Sequence, residues 1–217
     1  MRLFIVRHGE TEWNRDGRFQ GQQDTALSET GLAQADKVAA YLAERMRGKF
    51  EAIAASPLSR AKITAEKIAS ACGCNRLDVI PGLTEINHGD WEGLLSSEVK
   101  KLWPRVLDLW HTSPHTVIMP GDGGESLRGV QIRACEAVDA MASAYDGDVC
   151  VTAHDAVIKV LLCHFLGAPL SSFWNFQIAN CSLTIAELRK DTPPRVNLMG
   201  DAHFLGAGFE TPEQKGL

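Results

Sequence analysis

Three short apolar runs, each breaking off into polar residues, constrain this chain more than any other feature. They are Leu3-Phe4-Ile5-Val6, Ala52-Ile53-Ala54-Ala55 and Val149-Cys150-Val151-Thr152-Ala153. Continuous apolar runs of that length suit strands covered on both faces. Helical periodicity fills the intervals. Ser28 is a suitable N-cap, and Leu32, Ala35, Ala39, Leu42 and Met46 follow at steps of three and four. Ser56-Pro57 reads as a cap with proline at the first helical position, opening a helix to about Cys72. A long helix is predicted from Ser126 to Tyr145, with Val130, Ala134, Ala137 and Met141 on one face, and another from Ala156 to Leu166, capped by Gly167. Leu77 to Ile80, Ser182 to Ala186 and Val196 to Leu198 read as further strands. Strands alternating with helices in this way give an α/β fold, a mostly parallel central sheet with helices on both faces.

The 217 residues suffice for one sizeable core, taken as a single domain over residues 1–206 with a C-terminal tail at 207–217. The middle, roughly Gly82 to Gly124, is irregular and rich in Trp, Pro, Gly and His. Its part from about 86 to 124 is expected to be a small, partly helical insertion over one end of the sheet. Ligands of such sheets bind beyond the carboxyl ends of the strands. There the first run leads into Arg7-His8-Gly9-Glu10-Thr11, the second into Ser56-Pro57-Leu58-Ser59-Arg60, and the last into His154-Asp155. Two arginines and two histidines would converge at one end of the sheet, beside helix N-termini. A phosphoryl group suits that set, because arginine offers paired planar donors and helix N-termini add N–H groups and partial positive charge.

Charge limits the partners. With 22 Lys and Arg against 27 Asp and Glu, the net charge is −5, and no basic run is present. Nucleic acid and anionic membrane are therefore excluded as main partners. The apolar run at Leu3 is too short for a signal peptide and no later stretch is long enough to span a membrane, so a cytoplasmic location is expected. Cys72, Cys74, Cys135, Cys150, Cys163 and Cys181 lack the spacing of a disulfide scaffold or a zinc site. His111, His115 and His164 show no metal-ligand spacing either, and Trp91, Trp103, Trp110 and Trp174 are read as packing residues.

A series of motifs runs along the chain: Arg7-His8-Gly9-Glu10-Thr11-Glu12-Trp13-Asn14, Gly17-Arg18-Phe19-Gln20-Gly21, Asp24-Thr25-Ala26-Leu27-Ser28 and Ser56-Pro57-Leu58-Ser59-Arg60-Ala61. It continues through Leu83-Thr84-Glu85, Gly89-Asp90-Trp91-Glu92-Gly93 and Gly123-Gly124-Glu125-Ser126 to His154. In these motifs the chain resembles the histidine phosphatase (phosphoglycerate mutase-like) superfamily. The motifs stand in order over nearly the whole chain, which makes the set specific where any one motif is weak. The resemblance implies His8 as a metal-independent nucleophile, with Arg7, Arg60 and His154 holding the phosphoryl oxygens. It implies Glu85 as the acid for the departing oxygen, then the base for water. Asn14, Gln20 and Gly21 fall in the implied substrate-binding segments. No cofactor and no metal is implied. One departure stands out: family members commonly have glycine where this chain has Asp155, a residue able to cap the following helix.

The family also contains mutases and members without catalysis. Between Gly93 and the Gly123-Gly124-Glu125-Ser126 turn the only basic residues are Lys100, Lys101 and Arg105, so a bisphosphorylated substrate is disfavoured and a phosphatase preferred to a phosphoglycerate mutase. An intact set of Arg7, His8, Arg60, Glu85 and His154 disfavours a non-catalytic, phospho-ligand-binding regulator. Glu85-Ile86-Asn87-His88-Gly89, Phe173-Trp174-Asn175-Phe176, Asn180-Cys181-Ser182 and His203 resemble metal-independent phosphoserine phosphatases, in which histidines matching His88 and His203 lie near the substrate. Phosphoserine is thus the first expected substrate, with α-ribazole phosphatase and broad-specificity phosphatase as alternatives. The expected partner is a small phosphorylated metabolite, and a homodimer is compatible with the chain.

Overall fold

The computed structural model describes residues 1–190 and 192–206; the expected tail at 207–217 lies outside the described residues. Six strands form one sheet in the order β3-β2-β4-β1-β5-β6: β1 (Arg2–Arg7), β2 (Phe50–Ala55), β3 (Leu77–Val79), β4 (Asp148–Ala153), β5 (Leu183–Arg189) and β6 (Thr192–Asp201). The first four strands run parallel. β5 and β6 are antiparallel, so the sheet is parallel in its site-bearing part and mixed as a whole. β6 carries Pro193 and Pro194 and takes the edge, where missing N–H donors matter least.

The helices are α1 (Glu12–Asp16), α2 (Glu29–Met46), α3 (Ser59–Cys72), α4 (Ser96–Leu102), α5 (Pro104–Thr112), α6 (Leu127–Ala144) and α7 (Asp155–Phe165). The two-residue period of the strands sorts their side chains between two cores. Leu3, Ile5, Ala52, Ala54, Val149, Val151 and Ala153 face α6, α7 and the insertion. Phe4, Val6, Phe50, Ile53, Ala55 and Cys150 face α2 and α3. The middle segment is more ordered than its composition suggests. It holds α4, α5 and short 3₁₀ turns at Gly89–Trp91 and Pro114–Thr116, all packed through Trp91, Val99, Leu107 and Trp110.

Two predicted helix starts shift. α3 begins at Ser59 after Leu58, not at Ser56-Pro57, because the Ser56 N–H continues the sheet ladder to Thr152 O at 3.0 Å. α7 begins at Asp155 with His154 as its N-cap, so Asp155 does not cap it. Both changes keep polar residues in register with the strand ends. Among the described residues no helix is long and apolar enough to cross a membrane, and all six cysteines are unbonded thiols.

Candidate active site

Ladder bonds place the strand-end residues side by side. His8 N–H donates to Ala153 O at 3.0 Å, and Arg7 N–H donates to Ser182 O at 3.3 Å. Cys181, with a left-handed φ of 56°, aims its N–H at Arg7 O (3.0 Å), and Asn180 Nδ2 donates to His8 O at 3.0 Å. The His8 backbone is thus tethered at both its amide and its carbonyl. Gly9 follows because a Cβ there would lie 2.4 Å from Gly31 O, where α2 begins.

The predicted residues Arg7, His8, Arg60, Glu85 and His154 all come together, buried, with His8 2%, Arg60 1%, Glu85 5% and His154 0% exposed. The His8 and His154 rings lie 5.0 Å apart between centroids. His8 Nδ1 is 2.7 Å from Gly9 O. A carbonyl only accepts, so Nδ1 carries the proton and the lone pair resides on Nε2. Burial, then Arg60 and Arg7, hold the His8 pKa well below the usual 6.5, which keeps the ring neutral at neutral pH. The same causes lower His154, again led by burial.

Arg60 stands on the first turn of α3. Its Nη1 donates to Gln23 O (2.8 Å) and its Nη2 to Gly21 O (2.7 Å). Gly21 takes φ +52°, and a Cβ there would overlap the Glu92 carboxylate, so glycine alone fits while presenting its carbonyl to Arg60. Gln20 is buried as a scaffold: its Oε1 accepts from Thr11 Oγ1 (2.8 Å) and Thr25 Oγ1 (2.6 Å). Gln20 and Gly21, expected at the substrate, hold the loop that positions Arg60. Asn14 closes a capping box with Thr11, its Oδ1 accepting from Thr11 N, which leaves the amide NH₂ as the group available for donation. Arg7 Nη1 donates to Ile178 O at 2.6 Å and to Asp155 Oδ1 at 3.3 Å. Three buried nitrogens here have no protein partner: Arg7 Nε, Arg60 Nε and His154 Nδ1. Unpaired buried donors of this kind are costly unless an anion meets them.

Glu85 Oε1 accepts from Ile86 N at 2.9 Å, while Ala156 N, at the start of α7, points to Oε2 at 3.4 Å. Burial, with Asp155 adding to it, raises the carboxyl above its usual 4.5, against the pull of Arg60 and Arg7. The site therefore pairs a neutral imidazole with a carboxyl held above its usual range by burial. That division suits nucleophilic attack on one side of a phosphoryl group and proton donation on the other.

His88 and His203, expected to select the substrate, are not brought to this cluster. His88 is fully buried against Phe19, Trp91 and Trp110, because the insertion closes on it as part of its aromatic core. His203 is exposed, with Nδ1 2.7 Å from Asp201 Oδ1 and its ring against Tyr41 of α2. Sequence reasoning missed three supporting residues. Ser56 Oγ is 2.7 Å from His154 Nε2. Arg133 of α6 donates to Gly82 O (2.9 Å) and Glu85 O (3.0 Å) and pairs with Glu125 at 2.8 Å. Lys159 is buried and pairs with Asp155 at 2.7 Å. Among the described residues no group of three or more His, Cys, Asp or Glu is placed to hold a metal ion.

Residues 3–202 match the model of the histidine phosphatase superfamily (branch 1). The chain is 36% identical over 193 residues to phosphoserine phosphatase 1 of Hydrogenobacter thermophilus, covering 88% of each chain. It is 32% identical over 214 residues to the metal-independent phosphoserine phosphatase of Arabidopsis thaliana, covering 96% of this chain and 87% of that one. The solved structure of YhfR from Bacillus stearothermophilus superposes with a TM-score of 0.86 at 32% identity, over 94% of this chain and 99% of the other. Fold, strand-end cluster and relatives agree: the chain belongs to the histidine phosphatase superfamily (branch 1), and it is a phosphatase.

Proposed function

We propose that the protein hydrolyses a small phosphomonoester through a phosphohistidine formed on His8, and that phosphoserine is its substrate. One observation carries the mechanism: His8 has Nδ1–H tied to Gly9 O, so its remaining nitrogen, Nε2, holds the lone pair. Nε2 attacks phosphorus as the bond to the ester oxygen breaks, and Glu85 gives that oxygen its proton. Water then attacks the phosphohistidine, returning a proton to Glu85 and the N–P electron pair to His8. Arg7, Arg60 and His154 stabilise the charge spread over the phosphoryl oxygens, with Asn14 as a neutral donor. Support for phosphoserine comes from the two relatives that carry that activity in their names, at 36% and 32% identity.

The test measures phosphate release from phosphoserine, α-ribazole phosphate, 3-phosphoglycerate and p-nitrophenyl phosphate, with rapid acid-free quenching to trap the phosphoenzyme. Phosphoserine is expected to have the highest kcat/KM, and a His8→Ala protein that remains folded is expected to form no phosphoenzyme. Full turnover by folded His8→Ala removes the mechanism. A better kcat/KM on another ester of the panel removes phosphoserine and leaves the mechanism standing.

A further inference from the structure

Asp155 is an unusual residue to find beside a phosphoryl site, since an aspartate there opposes the anion. It is fully buried, as is Lys159 one helical turn further along α7. The Lys159 ammonium lies 2.7 Å from Asp155 Oδ2, and 5.0 Å and 4.7 Å from the ring centroids of Phe173 and Trp174. Two aromatic faces and the i,i+4 spacing fix the ammonium in place, so one Asp155 oxygen is neutralised inside α7 itself. The other oxygen is directed to Arg7 Nη1 at 3.3 Å, the same nitrogen that donates to Ile178 O. Arg7 Nη1 is thereby committed to the protein, while Arg7 Nε, buried, has no protein partner.

We propose that Asp155 and Lys159 act as a positioning pair for Arg7, holding its Nη1 away from the phosphoryl group so that the edge carrying Nε meets it. This rests on the proposed role of the strand-end cluster. Lys159 is what makes the buried aspartate tolerable: it cancels the charge, so the arginines set the field of the site, and it stops Asp155 from drawing the whole guanidinium inward. Breaking a buried pair by removing one partner is strongly unfavourable, whereas replacing both by neutral residues often is not. The pair can therefore be removed from a folded protein. A guanidinium displaced by about 1 Å costs on the order of 100-fold in rate, because the donor geometry is matched to the transition state.

The experiment compares wild type, Asp155→Asn, Asp155→Ala/Lys159→Met and Arg7→Ala, together with Asp155→Ala/Lys159→Met in the Arg7→Ala background. Readouts are kcat, KM and inhibition by orthovanadate, which takes the five-coordinate geometry of the transferring phosphoryl group. The double variant is expected to fold with near wild-type Tm, to lose roughly 10- to 100-fold in kcat with a smaller change in KM, and to lose vanadate affinity by a similar factor. In Arg7→Ala, the Asp155→Ala/Lys159→Met change is expected to subtract nothing further. Wild-type kcat and vanadate inhibition in either Asp155 variant overturn the proposal. So does an undiminished effect of the double change in the Arg7→Ala background, because a merely structural role would act whether or not Arg7 is there. If His8→Ala retains turnover the mechanism itself fails; if it does not and these variants are normal, only the positioning role fails.

Discussion

Ser56 Oγ and His154 Nε2 meet at 2.7 Å across the ends of neighbouring strands β2 and β4. Leu58 N–H points to the same hydroxyl at 3.4 Å, and a hydroxyl that accepts there keeps its own proton to give to an Nε2 lone pair. In the tautomer that accepts it, the imidazole proton sits on Nδ1, one of the buried nitrogens with no protein partner. His8 is held in the same tautomer by Gly9 O. In the proposed mechanism one ring then offers an N–H to the phosphoryl oxygens and the other a lone pair to phosphorus.

Ser56→Ala should release the His154 tautomer. Losing one neutral hydrogen bond is worth about 0.5–1.5 kcal/mol, so kcat/KM is expected to fall roughly 2- to 13-fold. Nitrogen NMR of the imidazoles gives the direct check: a protonated Nδ1 in wild-type His154, and a mixture of tautomers in Ser56→Ala. An unchanged spectrum with unchanged kinetics would refute the role.

Arg133 predicts a second remote effect. It ties Glu125 to the carbonyls of Gly82 and Glu85, so the Gly123-Gly124-Glu125-Ser126 turn holds the Glu85 backbone from behind. Lysine has one nitrogen and cannot make this fork. Arg133→Lys should lower kcat about 10-fold or more on an alkyl phosphate. The loss should be smaller on p-nitrophenyl phosphate, whose leaving group needs little protonation. Equal losses on the two substrates would show that Arg133 supports the fold generally rather than Glu85.

For Glu85 itself, the sign of the pH dependence follows from its environment. Burial raises its pKa above 4.5, so the protonated, donating form persists to higher pH than in a free carboxyl. The alkaline limb of kcat/KM for phosphoserine should therefore lie above pH 4.5 and report this deprotonation. Glu85→Gln should abolish that limb and depress phosphoserine turnover by on the order of 100-fold. A pH profile on p-nitrophenyl phosphate that changes just as much would count against leaving-group protonation.

The strand-end residues were legible because position decides them: an apolar run that ends in Arg-His, or in His-Asp, announces the carboxyl edge of a parallel strand. Arg7, His8, Arg60 and His154 could be gathered on that ground alone. What was not legible depends on approach in three dimensions. Ser56-Pro57 has the local chemistry of a helix cap, and only the neighbouring strand, by taking the Ser56 N–H into its ladder, turns the hydroxyl to His154. Arg133 reads as a polar residue on an amphipathic helix, and nothing in the spacing tells which carbonyls it reaches. Asp155 and Lys159 did leave a trace: two charges four residues apart in the otherwise apolar start of α7 are a buried pair more readily than a solvated one. His88 was expected at the substrate on its resemblance to phosphoserine phosphatases, and nothing in the spacing tells that Phe19, Trp91 and Trp110 fold it into core.

That burial of His88 carries the last prediction. The ring is fully enclosed by Phe19, Trp91 and Trp110, neither ring nitrogen has a protein partner, and burial pushes its pKa down to about 3. In the unfolded chain the same histidine titrates near 6.5, so between these values the unfolded state binds a proton that the folded state refuses. Stability from this site is fully present above pH 6.5 and is lost as pH falls toward 3, at about 1.4 kcal/mol per pH unit. His8 and His154, also depressed by burial, act in the same direction. Their contribution survives in a His88→Phe protein, so the acid limb should become shallower by about one proton and not vanish. Phenylalanine also replaces unpartnered nitrogens with carbon in an aromatic setting, so folding at neutral pH should be little affected. The check is denaturant unfolding of wild type and His88→Phe at pH 7.5, 6 and 5. Stability curves that stay parallel across that range would show that His88 does not resist protonation in the folded state, and that a polar partner reaches its ring after all.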